Sequence, residues 1–129
     1  MRDIGANVFA AATVTFLEQF RFSFCTEEEL QDGIWKAIQT AWPDPTEWTR
    51  EHRLSAKDRI DFYNEATGIG VEAKISHPLG SLTRQLHRYA QHDSIKGLVL
   101  ITSQVRLTQL PGHLNTKPLM TVNLIGSLL

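Results

Sequence analysis

The chain has 129 residues, 42% of them hydrophobic and 21% charged, which suits one compact domain with an ordinary core and argues against disorder. No apolar run reaches membrane-spanning length, and the single cysteine, Cys25, excludes internal disulfides and any Cys-ligated zinc or iron–sulfur centre. The net charge of −1 divides unevenly: residues 1–49 hold 3 Lys/Arg against 8 Asp/Glu, a balance of −5, while residues 50–129 hold 10 against 6, a balance of +4, and all five histidines. That asymmetry points to a modest basic working face in the second part. The first twenty residues do not read as a signal peptide, because Asp3 comes early and Thr13, Thr15, Glu18 and Gln19 interrupt the apolar residues. A cytoplasmic location without membrane contact is expected.

In chain order, residues 4–22 read as a helix, although the alternation from Phe20 to Phe24 also suits an extended end. Thr26 followed by Glu29 is a capping box. Leu30, Ile34, Ala37, Ile38 and Ala41 then recur at helical spacing until Pro43 and Pro45 stop them, which predicts a helix over 27–41. Strands are expected at 48–54, 59–64 and 69–75, separated by turns at 55–58 and 66–68. Ser81 can cap a helix over 82–92. The run Leu98-Val99-Leu100-Ile101 suits a strand buried on both faces. Residues 104–118 carry little signal beyond a short helix near 106–110, and 119–125 reads as a last strand. The expectation is an α/β fold with a mixed central sheet flanked by helices, in which a helix links the third strand to the buried one as a βαβ crossover.

The chemistry concentrates in the second and third strands. Side chains alternate along a strand, so Glu72 and Lys74 share a face and Ala73 takes the other. If the two strands pair as a hairpin, Asp61 comes near Glu72. Clustered carboxylates repel unless a cation lies between them, and an all-oxygen donor set favours Mg²⁺ or Mn²⁺. Lys74 can orient a water or stabilise charge building on a phosphate. Alone, a Glu-x-Lys tripeptide carries almost no information, since composition gives about one such match in a chain this long. The coincidence of two strands, a tight turn and an acid at matching depth is what raises it.

Asp61, Glu72-Ala73-Lys74 and Gln85-Leu86-His87-Arg88-Tyr89 resemble the D…ExK…QxxxY series of the PD-(D/E)xK nuclease superfamily, in particular its RecB-like branch. The order helix, three-strand meander, crossover helix, strand is similar to that superfamily's restriction-endonuclease-like core. The resemblance covers about residues 26–103, leaving 1–25 as an N-terminal extension and 104–129 as a C-terminal segment within a single domain. It implies metal-dependent phosphodiester hydrolysis. Asp61 and Glu72 would be metal ligands helped by the Ala73 carbonyl, Lys74 the catalytic lysine, and Gln85 and Tyr89 the DNA side of the site. Gln85 and Tyr89 share a helix face whatever the family, so a core role for Tyr89 stays open. Members of the superfamily often add an acid from the first helix. Glu27 lies on the stripe of Leu30, Ile34 and Ile38, whereas Glu29 belongs to the capping box and Glu28 should face water. Glu27 is therefore the candidate, with a plain first-turn acid as its alternative. The residue before Asp61 is Ile60 rather than proline, and an iron–sulfur subtype is excluded by the lone cysteine.

Arg84, Arg88, Arg59 and Lys57 are candidate phosphate contacts; each can equally be a solvated surface residue. His87 and His92, five apart, are poorly spaced for a metal pair on one helix. Two functions compete. One is a DNA endo- or exonuclease, suited to phage or mobile-element DNA processing, restriction or junction resolution. The other is a non-catalytic nuclease-fold module that binds DNA or a partner as a subunit or inhibitor. Cutting of duplex or junction DNA by so small a domain would favour a homodimer. The apolar N-terminal segment with Phe9, Phe16, Leu17, Phe20, Phe22 and Phe24 can supply that interface or pack on its own sheet.

Overall fold

Residues 4–124 are described by a computed structural model. Thr26 caps the helix Glu27–Ala41 (α2), accepting from the Glu29 amide at 3.1 Å while Glu29 reaches back to the Thr26 amide at 3.0 Å. The preceding helix (α1) is Ile4–Glu18 and ends earlier than the sequence reading. Beyond it, Phe20 and Phe22 are committed to packing: Phe22 is 7% exposed, and Phe20 lies 5.0 Å from the Phe16 ring centroid.

Strands β1 (Trp48–Arg53), β2 (Arg59–Asn64) and β3 (Ile69–Lys74) form an antiparallel meander. The helix Leu79–Ala90 (α3) then crosses to Gly97–Thr102 (β4), which pairs parallel with β3. The remaining strands are β5 (His113–Leu114) and β6 (Lys117–Asn123). Among the described residues the protein is thus an α/β fold of three helices and a six-stranded mixed sheet, ordered β1-β2-β3-β4-β6-β5. The last expected strand starts two residues early, at Lys117, and its expected end, Ile125, lies outside the described residues.

Two departures concern α3. It starts at Leu79, with Pro78 as its N-cap and no side-chain cap bond, so Ser81 is inside the helix rather than capping it. Pro78 has φ −63, already near the helical value. At the other end the helix stops at Ala90, whose carbonyl accepts from Lys117 Nζ at 2.7 Å and Asn115 Nδ2 at 3.2 Å.

The sheet separates two cores. On one face α1 and α2 bury Ala10, Leu17, Leu30, Ile34 and Ile38 against Phe62, Val71, Ala73, Val99 and Ile101. On the other α3 buries Leu82, Leu86 and Tyr89 against Ile60, Leu98 and Leu100. The alternation within β4, with Val99 and Ile101 on one side and Leu98 and Leu100 on the other, explains its continuous apolar run. Helix α1 shares the first core, so most of the N-terminal phenylalanines pack on this sheet; Val8 and Phe9 remain exposed. No described helix is long and apolar enough to cross a membrane.

Candidate active site

The β2–β3 ladder runs from Asn64–Ile69 to Phe62–Val71 and stops there. Pairing with β1 also skips the next position: Arg50 faces Phe62 and His52 faces Ile60, but Glu51 takes the left-handed backbone region at φ 53. Such a conformation costs a non-glycine residue about 1–2 kcal/mol. Asp61 sits at this break. Ile60 and Phe62, two apart on one strand, accordingly lie in opposite cores. Gly70 makes room for the displaced Ile60, since a Cβ there would stand 2.3 Å from Ile60 Cδ1.

Past the last ladder pair, the two carboxylates replace backbone pairing. The Asp61 amide donates to Glu72 Oε1 at 3.1 Å, and the Ala73 amide donates to Asp61 Oδ2 at 2.8 Å. Each acid thus anchors the other's strand. A residue's N–H and C=O project to the same strand edge, so the Ala73 carbonyl faces the same gap. Ala73's methyl is buried in the opposite core.

Lys74 Nζ lies 3.6 Å from Glu72 Oε2 and 3.9 Å from Glu27 Oε2, within ion-pair range but beyond hydrogen bonding. Helix α2 delivers Glu27 to the end of β3, where its Oε1 accepts from the Ile75 amide at 3.3 Å. The structure therefore brings Glu27, Asp61, Glu72 and Lys74 together, and leaves Glu28 and Glu29 exposed. Glu72 is 2% exposed. Burial, and then the Asp61 charge, push its carboxyl up to about 8, against the pull of Lys74. Burial raises Asp61 as well.

Gln85 and Tyr89 occupy the sheet-facing side of α3. Tyr89 is 2% exposed, and its hydroxyl donates to the Arg59 carbonyl at 2.8 Å. It is a core residue that fixes β2 two positions before Asp61, not a side chain on an open face. Burial, then the charges of Glu72, Asp61 and Asp58, raise its phenol above the ordinary range and keep the donor proton in place. The Gln85 side-chain oxygen is buried with no hydrogen-bond partner among the described residues. Lys57, Arg59, Arg84 and Arg88 are all exposed.

Asp58, read from the sequence only as a turn residue, is buried and bonded to His92 and Arg88. Those bonds, His92 first, hold its carboxyl below the usual range. Nothing local marks it, because both partners lie some thirty residues away.

All potential donors at the Asp61–Glu72 gap are hard oxygens, the donor type that Mg²⁺ and Mn²⁺ favour. Among the described residues no three Asp, Glu, His or Cys side chains stand close enough to hold an ion. In comparisons with family models, curated proteins and solved structures, nothing matches the chain.

Proposed function

We propose that the chain is a Mg²⁺- or Mn²⁺-dependent nuclease that hydrolyses phosphodiester bonds in DNA, built on a restriction-endonuclease-like core of the PD-(D/E)xK kind. The observation that carries this reading is the broken ladder at Asp61 and Glu72, where a deeply buried carboxylate and its partner are held by each other's strands with Lys74 beside them. Burying two carboxyls side by side is costly, which is why the Glu72 carboxyl is raised to about 8, and a cation between them would offset that cost.

Asp61 and Glu72 would hold the cation through the oxygens not already spent on backbone amides, with the Ala73 carbonyl at the same edge; Glu27, expected as a further ligand, is instead bonded to the Ile75 amide and stands beside Lys74. When bound, the ion supplies Lewis acidity at the phosphate and the attacking water. Lys74 adds a fixed positive charge where the phosphate becomes more negative, and can orient the water. Tyr89 and the reciprocal amide bonds keep the two carboxylates in register, which matters because misplacement of about 1 Å costs roughly 100-fold in rate.

Incubating plasmid and oligonucleotide DNA with the protein in Mg²⁺ or Mn²⁺ tests the proposal. Cleavage that Glu72→Gln abolishes is the expected outcome. No cleavage with either ion, together with unchanged DNA binding by Glu72→Ala, overturns it. The second reading, a non-catalytic binding module, draws on one observation: Lys74 and the backbone amides partly satisfy both acids without a cation. Binding without cleavage under these conditions selects it.

A further inference from the structure

Asp58 has no part in the chemistry above, yet it is only 7% exposed and joins two elements. Arg88 Nε reaches its Oδ1 at 3.3 Å, and His92 Nε2 lies 3.0 Å from its Oδ2. Its backbone carbonyl accepts from the Leu54 and Ser55 amides at 2.8 and 3.2 Å. The Ser55 hydroxyl accepts in turn from the Lys57 and Asp58 amides. The β1–β2 turn is therefore a defined loop fastened to α3 through one carboxylate.

Arg88 engages Asp58 through Nε, and its side chain remains 57% exposed. Among the described residues both Nη groups are left for a further partner. Arg84, one turn earlier on α3, is exposed as well. Lys57 and Arg59 flank Asp58 in the chain and are exposed, and Tyr89 ties the Arg59 carbonyl to the same helix. Lys57, Arg59, Arg84 and Arg88 are thus four exposed cations on the turn and on α3, the two elements that Asp58 joins.

We infer that the outward face of α3 and the β1–β2 turn form a single cradle for a DNA phosphate backbone, oriented by Asp58 and leading to the Asp61–Glu72–Lys74 cluster. The choice of ligand rests on the nuclease reading. The occupant is a polyanion because the surface offers guanidinium forks and a lysine, groups that position a backbone without reading its bases. Asp58 acts as a positioning residue: it aims the Arg88 fork.

The test is binding of fluorescent duplex and single-stranded DNA of about 20 nucleotides to protein carrying Glu72→Gln, so that cleavage does not intervene. Arg84→Ala and Arg88→Ala should each weaken binding roughly 3- to 10-fold near 0.1 M salt and flatten the plot of log affinity against log salt by about one unit. Asp58→Asn makes the protein more positive, so bulk electrostatics requires tighter binding, whereas an Asp58-oriented cradle requires weaker binding. If Asp58→Asn does not fold, Arg88→Lys replaces it: the charge stays, the fork is lost, and binding should still weaken. Tighter binding by Asp58→Asn, an unchanged salt slope in Arg84→Ala, wild-type affinity in Arg88→Lys, or no binding to either DNA overturns the cradle. Cleavage by otherwise wild-type protein with an unchanged slope in Arg84→Ala removes the cradle and leaves the nuclease. Arginine-dependent binding without any cleavage does the reverse.

Discussion

At Glu72 the electrostatics of the site become a statement about stability. Its carboxyl is raised from the ordinary 4.5 to about 8 by burial and by Asp61. Without metal, the folded protein keeps this proton through a range where the unfolded chain has lost it. The stabilisation is full below about pH 4.5 and is lost as pH rises through about 8. The melting temperature of metal-free protein should therefore fall between pH 5 and pH 9, and Glu72→Gln should remove most of that fall; a flat wild-type profile contradicts this. A cation must displace the same proton, so Mn²⁺ affinity measured by calorimetry should rise over the same interval. Lys74→Met should lower the cleavage rate by about 100-fold or more with little change in melting temperature. At Tyr89, removal of the hydroxyl leaves the Arg59 carbonyl without its donor, so Tyr89→Phe should cost about 1 kcal/mol in denaturant unfolding. Equal stability of the two proteins would show that the bond contributes nothing.

At the level of elements, α2 was fully legible because its start is written locally, in Thr26 and Glu29, and its stop in Pro43. Thr26→Ala should cost about 1 kcal/mol. The meander was legible for the same kind of reason: alternating apolar residues, and turns at 55–58 and 66–68. Helix α3 was legible only in its middle. It begins at Leu79, after Pro78 and three residues before the expected first residue, and Lys117 and Asn115, remote in sequence, satisfy the carbonyl of its last residue, Ala90. Lys117 also donates to the His92 carbonyl at 2.8 Å. Lys117→Met should therefore destabilise the protein by about 1.5–3 kcal/mol, the range for hydrogen bonds to charged groups, and more than Thr26→Ala; the reverse order in chemical denaturation would refute this account of the helix end. The two-residue β5 carries too few side chains to leave a pattern.

For the molecule as a whole, the site gathers residues from α2, β2 and β3, and the Glu27–Ile75 bond alone spans 48 positions. Strand parity made the Glu72–Lys74 pair readable, and the stripe on α2 singled out Glu27. The break in the ladder was not readable, because it depends on Glu51 across the sheet and on space left by Gly70. Nor was Asp58, whose partners sit on another element. The basic excess of residues 50–129 became, in three dimensions, exposed cations on α3 and on the β1–β2 turn, which Asp58 ties together. Sheet and helices thus serve one arrangement: two carboxylates and a lysine at the end of β3. A crystal soaked in Mn²⁺ tests that arrangement most directly. Anomalous density between the Asp61 and Glu72 carboxylates is the predicted result. A well-soaked crystal with no density there, or with Mn²⁺ bound only elsewhere, would contradict it.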